Sequence, residues 1–134
     1  ECALEWFTMP EGKHLIVTVH AYLPYGFAMD VQGTGTWGKE GAGELETVME
    51  RLGQRFVANG IPVLIGEFGA VDKGNTKERL QWLEDYMDAG GKHRIGLVWW
   101  DEGGRSGETY GRFRIFDRER LEWLFPEIRD ALVR

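Results

Sequence analysis

Glu67 follows directly on the apolar run Val63-Leu64-Ile65 and is flanked by Gly66, Phe68 and Gly69. A carboxylate in such surroundings is ionised only at a cost in free energy, so its presence needs a reason. One reading makes it a catalytic carboxylate. The plainer one pairs it with a nearby Arg or has it cap the next helix. His20 raises the same question at the end of an earlier apolar run, where a lone His is often just a hydrogen-bonded structural residue. Tyr22, two residues on, sharpens it. Alternate residues of an extended chain share a direction, so His20 and Tyr22 would aim at one place.

Aromatic rings accompany these polar groups. In Trp99-Trp100 alternation sends one ring towards the strand-end surface and the other into packing, and an exposed ring beside a carboxylate suits stacking on the face of a sugar. The segment 21–43 is long for a simple connection and holds Tyr25, Phe27 and Trp37 among five glycines from Gly33 to Gly43. Such loops are commonly functional, and Trp37 there meets either the core or a ligand. A second loop, 101–112, carries Asp101, Glu102, Glu108 and Tyr110, whose acids suit calcium, polar substrate groups or simple solvation. Spacings typical of EF-hand, P-loop, zinc or dinucleotide sites do not occur, so no metal or cofactor is expected.

The elements that must position these residues alternate in type. Leu15–Val19, Pro62–Gly66 and Ile95–Trp100 are short, β-rich apolar runs that read as buried strands. Leu45, Val48, Met49, Leu52 and Phe56 keep helical spacing over 44–57. Leu80, Leu83 and Met87 do so over 76–89, with Thr76 as a candidate N-cap and Gly90 as a stop. Leu121, Leu124, Ile128 and Leu132 predict a closing helix that Pro126 breaks or restarts. Strand–helix alternation implies an α/β fold with parallel strands and right-handed crossovers. His20, Glu67 and the Trp pair then all fall at the C-terminal ends of strands, where parallel barrels carry their catalytic groups.

The 134 residues fit one domain, and 43% hydrophobic residues are enough for a core. A net charge of −6 argues against nucleic acid, whose phosphates need clustered Lys and Arg. No apolar run reaches the 18 residues of a membrane span. The single Cys2 excludes an intrachain disulfide framework and a cysteine zinc site. Residues 1–5 lack the pattern of a leader peptide and read like a cut through a longer protein.

With those residues in view, the chain resembles glycoside hydrolase family 5, in its endoglucanase and xyloglucanase branch. His20-Ala21-Tyr22 with Pro24 and Phe27 is similar to the sixth strand and loop of that (β/α)8, or TIM, barrel. Residues Pro62 to Ala70 resemble its seventh-strand signature, whose Glu is the nucleophile. Trp99-Trp100-Asp101 and Gly107-Glu108-Thr109-Tyr110-Gly111 resemble the eighth strand and loop, and the segment 121–133 resembles the final helix. The resemblance implies that residues 1–134 are the C-terminal three βα units of a secreted retaining endo-β-1,4-glucanase acting on β-glucan.

It also implies roles for individual residues: Glu67 as nucleophile, Tyr22 as its hydrogen-bond donor and His20 in the surrounding polar network. Trp100 is the implied sugar platform, with Trp99 and Trp37 as further contacts. The acid/base Glu would follow an Asn on the fourth strand, and no such Asn-Glu-Pro stretch occurs here. The chain alone is therefore expected to be inactive, with an N-terminal half-barrel chain or self-association completing the sheet. A non-catalytic, sugar-binding or self-associating half-barrel is the alternative.

Overall fold

A computed structural model describes residues 2–103 and 113–133. Strands β1 (Val17–His20), β2 (Val63–Phe68) and β3 (Gly96–Trp99) form one parallel sheet in that order. Helices α3 (Lys39–Arg55) and α4 (Thr76–His93) make the two crossovers. Two short helices, α1 (Cys2–Trp6) and α2 (Tyr25–Ala28), precede them in the chain. A two-residue-per-strand antiparallel pair, β4 (Phe116–Asp117) and β5 (Glu122–Trp123), leads into α5 (Pro126–Leu132).

The helices cover one face of the sheet only. Val17, Val63 and Ile65 point into the helical layer and are buried with Leu45, Leu52 and Trp82. On the opposite face Ile16 is 64% exposed and Val98 46%, and Thr18 beside them is exposed as well. Apolar β-branched residues on an open face are what a closed barrel places in its interior.

The register contains one irregularity that matters for chemistry. Val19 pairs with Ile65 and His20 with Glu67, so β2 has one residue more than β1 at this point. The same extra residue appears against β3, where Ile65 pairs with Leu97 and Phe68 with Trp99. A β-bulge re-aims side chains. Here it lets both Ile65 and Phe68 face the helices, fully buried, while Glu67 between them turns away. Gly66 makes this possible, since a Cβ at that position would lie 2.8 Å from Thr18 Oγ1.

Several element boundaries differ from the sequence reading. Helix α3 starts at Lys39, five residues before the expected 44, because Gly41 lets the first turn close on the ring of Trp37, 2.6 Å from where its Cβ would be. Gly90 does not stop α4. The helix continues to His93 and ends at Arg94 in the left-handed conformation, with φ of 55°. Gly90 serves packing instead, since a Cβ there would come within 2.8 Å of Leu97. Thr76 is the first helical residue, and Asn75 holds the cap position while its amide donates to Gly35 O at 2.8 Å. Leu121 and Leu124 lie outside α5, which begins at Pro126. Leu121 has a positive φ of 58° and is exposed at the turn of the β4–β5 hairpin.

Candidate active site

The bulge in β2 brings Glu67 opposite His20, and the backbone N–H of Ala21 donates to the carbonyl of Glu67 at 2.9 Å. The Tyr22 hydroxyl donates to Glu67 Oε2 at 2.9 Å. His20 Nδ1 lies 3.3 Å from the same oxygen, with the carboxylate 23% exposed. Oε1 of Glu67 has no hydrogen-bond partner among the described residues. One oxygen is held and the other is presented, an arrangement suited to nucleophilic attack from Oε1.

Tyr22 is fixed through its neighbours in sequence. Tyr86 Oη donates to Ala21 O and Trp82 Nε1 donates to Leu23 O, each at 2.7 Å. Both donors come from α4 and sit one helical turn apart, so this helix grips the chain on either side of Tyr22. Burial pushes the Tyr22 phenol up, and its hydrogen bond to Glu67 and the charges of Glu67 and Glu102 push it further in the same direction. The hydroxyl therefore keeps its proton and stays a donor. Burial alone raises Tyr86 in the same sense. Trp82 and Tyr86 were not among the residues singled out from sequence. Their signal was two polar-tipped aromatics, i and i+4, on the buried face of an amphipathic helix.

The tryptophan pair separates as alternation requires. Trp99 lies on the helical side, 5.6 Å from the Phe68 ring and 6.1 Å from Trp82, and its Nε1 donates to Phe113 O at 3.1 Å. Trp100 lies on the open face with Val98 and is 41% exposed; its backbone N–H donates to Phe68 O at 2.8 Å. Of the two rings, only Trp100 has a free surface next to the strand ends.

Trp37 is held elsewhere. Its backbone N–H donates to Glu78 Oε2 and its Nε1 to Asp85 Oδ2, both at 2.6 Å, and its ring rests on Phe27 at 5.3 Å. These contacts tie the segment before α3 onto α4, and none of them reaches Glu67. The same segment is clasped by Lys73, whose Nζ donates to the carbonyls of Gly26, Phe27 and Thr34.

Asp101, considered above for calcium or substrate, is occupied by the chain itself. It accepts from the backbone N–H groups of Gly103, Ile115 and Phe116 and from Arg118. Glu108 and Tyr110 lie outside the described residues. Among the described residues no group of three or more His, Cys, Asp or Glu is placed to hold a metal ion, and no helix is long and apolar enough to cross a membrane.

A parallel βα sheet with a tyrosine-held carboxylate at the C-terminal end of a strand fits a part of a (β/α)8 barrel. The profile of the cellulase family, glycosyl hydrolase family 5, matches residues 2–106, and the chain belongs to this family. It is 44% identical over 123 residues to endoglucanase 1 of Ruminococcus albus, covering 90% of this chain and 29% of that protein. To endoglucanase A of Clostridium longisporum it is 40% identical, covering 96% of this chain and 25% of the relative. Among solved structures, a GH5-4 broad specificity endoglucanase from Clostridium acetobutylicum superposes with a TM-score of 0.90 at 35% identity, covering 99% of this chain and 41% of that one. Another, from Ruminococcus champanellensis with bound cellotriose, gives 0.87 at 32% identity, covering 98% and 38%. The chain thus spans about a quarter to a third of the curated relatives named here and about two fifths of these barrels.

Proposed function

We propose that this chain, residues 1–134, supplies the nucleophile side of a retaining endo-β-1,4-glucanase. The observation that carries the reading is the Glu67 carboxylate, with Oε2 held by Tyr22 and Oε1 without a partner among the described residues, at the same end of the sheet as the exposed Trp100. In this mechanism Glu67 Oε1 attacks the anomeric carbon of a glucosyl unit stacked on Trp100. The glycosidic C–O bond breaks, and the leaving oxygen takes a proton from a second carboxylic acid. That group then removes a proton from water, which attacks the same carbon and releases Glu67. Tyr22 keeps the nucleophile oriented, and His20 extends the polar network around it.

The second carboxylate of a retaining enzyme stands about 5 Å from the first. It is assigned to a strand outside this chain, so the 134 residues by themselves carry out no turnover. Strands supplied by an N-terminal half-barrel would cover Ile16, Thr18 and Val98 and pair with the free edge of β1. Cello-oligosaccharide in a solved relative supports a β-glucan as substrate, and an extracellular location follows from such a polymer. The exposed Trp100 favours one second reading, a non-catalytic sugar-binding half-barrel.

The test combines this chain with a companion covering the other five strands and treats the assembly with a 2-deoxy-2-fluoro cellobioside. Mass spectrometry should find the sugar on the peptide containing Glu67, and Glu67→Gln should end turnover of soluble β-glucan. A label on any other residue refutes the nucleophile assignment. Cellotriose binding by the isolated chain, with no hydrolysis in the assembly, would favour the second reading.

A further inference from the structure

Glu102 is the charged residue near this site that the mechanism above does not use. It follows Trp100 by two residues, and its Oε1 accepts the backbone N–H of Phe113 at 3.2 Å. The Phe113 ring stands edge-on to Tyr22, with centroids 5.3 Å apart and planes at 64°. It also lies against Gly69, where a Cβ would come within 3.1 Å of Phe113 Cδ1. Gly69 therefore provides the space that lets Phe113 reach Tyr22. The result is a continuous path from Glu102 through Phe113 and Tyr22 to Oε2 of Glu67.

The carboxylate is poorly matched to a packing role. Its Oε2 is buried with no hydrogen-bond partner among the described residues, and an unsatisfied buried acceptor is destabilising, more so when charged. Because that oxygen is enclosed, a sugar hydroxyl does not reach it as the chain stands. Among the described residues Glu102 bonds to Phe113, the residue whose ring meets Tyr22, and its charge acts on the Tyr22 phenol in the same direction as that of Glu67.

We infer that Glu102 is a positioning residue for the nucleophile, holding Phe113 edge-on to Tyr22 so that the phenol keeps its hydrogen bond to Glu67. The inference rests on the retaining-glucanase reading given above. Glu102 touches no reacting atom in this account. It acts on the rate by keeping the Tyr22–Glu67 geometry tight, and a misplacement of about 1 Å in a catalytic group lowers rates by roughly a hundredfold.

Steady-state kinetics on the assembled barrel test this with Glu102→Ala, Glu102→Gln, Tyr22→Phe and the double variant Glu102→Ala/Tyr22→Phe. Glu102→Ala should lower kcat by about tenfold or more with KM within about twofold, the pattern of an interaction lost in the transition state. Glu102→Gln should recover most of that loss, since its amide oxygen can still accept from Phe113. In the Tyr22→Phe background Glu102→Ala should add less than about twofold, because residues acting in series are not additive.

Where Glu102→Ala fails to fold, Phe113→Leu takes its place. It keeps the backbone donor and removes the ring edge, and it should show the same dependence on Tyr22. An unchanged kcat, a change confined to KM, or an equal loss in the Tyr22→Phe background overturns the inference. Glu67→Gln in the same assay reports separately on the underlying reading: if it retains turnover, the nucleophile assignment is at fault rather than the role of Glu102.

Discussion

Tyr22 reaches across from the end of β1 to Oε2 of Glu67 in β2, a 2.9 Å hydrogen bond between residues 45 positions apart. It leaves Oε1 as the oxygen that attacks in the mechanism proposed above. A hydrogen bond to a charged partner contributes about 1.5–3 kcal/mol, or roughly 10- to 150-fold in rate if it matters chiefly in the transition state. Tyr22→Phe in the assembled barrel is therefore expected to lower kcat within that range and to change KM little. Stopped-flow measurement of the glycosylation step decides it. A Tyr22→Phe enzyme with wild-type rates would mean that Glu67 is oriented by other contacts.

The grip of α4 on the chain around Tyr22 predicts a linked loss of stability and rate. Tyr86→Phe removes the donor to Ala21 O and leaves a buried carbonyl unsatisfied, at about 1–3 kcal/mol. Urea denaturation should show a lower midpoint with an unchanged slope. Because Ala21 adjoins Tyr22, kcat should fall as well, by less than in Tyr22→Phe. A loss of stability with full activity would show that the hydrogen bond anchors the loop without orienting Tyr22.

How far these relationships were legible in the sequence depends on what each rests on. The three strands and the placing of His20, Tyr22, Glu67 and Trp100 at their ends follow from apolar runs and alternation, which are local. The bulge at Gly66 is not local. It depends on Thr18 leaving no room for a Cβ, a contact between strands. Gly90 reads as a helix stop, yet its function is close packing against Leu97, and nothing in its neighbours distinguishes the two. Leu121 and Leu124 keep helical spacing with Ile128, but Asp117 accepts the N–H groups of Glu119 and Arg120 and forms a turn there instead. Trp37 illustrates the same limit. Its glycine-rich surroundings leave it open between core and ligand, and its bonds to Asp85 and Glu78, contributed by a helix about 40 residues away, are not visible in the local sequence.

Asp101 predicts a pH dependence of stability. Burial raises its carboxyl, but bonds from Ile115 N–H, Arg118, Gly103 N–H and Phe116 N–H together outweigh this and hold it below the ordinary carboxylate value. A carboxylate depressed on folding stabilises the native state above its unfolded pKa, near 3.8, and the contribution is lost as pH falls through the lower folded value. The stability difference between the wild type and Asp101→Asn should be full at neutral pH and shrink progressively below about pH 4. Denaturation series between pH 7 and 2.5 measure it. A difference constant with pH would mean that folding does not depress the Asp101 carboxyl.

Trp99 and Trp100 are adjacent in sequence and should fail in opposite ways. Trp99 packs against Phe68, Trp82 and the guanidinium of Arg79, whose centre lies 6.0 Å from its ring. Truncating a fully buried aromatic typically costs about 3–5 kcal/mol, and Trp99, half-buried against the core, should lie towards the lower end. Arg79 is fully enclosed and burial pushes it down to about 10, so losing the ring would also remove one of the aromatic faces set against that cation. Trp99→Ala should thus lower the unfolding midpoint sharply. Trp100→Ala, at an exposed position, should change stability by less than about 1 kcal/mol and instead weaken cello-oligosaccharide binding, since stacking on a ring contributes of the order of 1 kcal/mol or more. Calorimetric titration with cellotriose on the assembled Glu67→Gln barrel, alongside thermal unfolding, separates the two variants. If Trp100→Ala binds cellotriose as tightly as its parent, Trp100 is not the sugar platform.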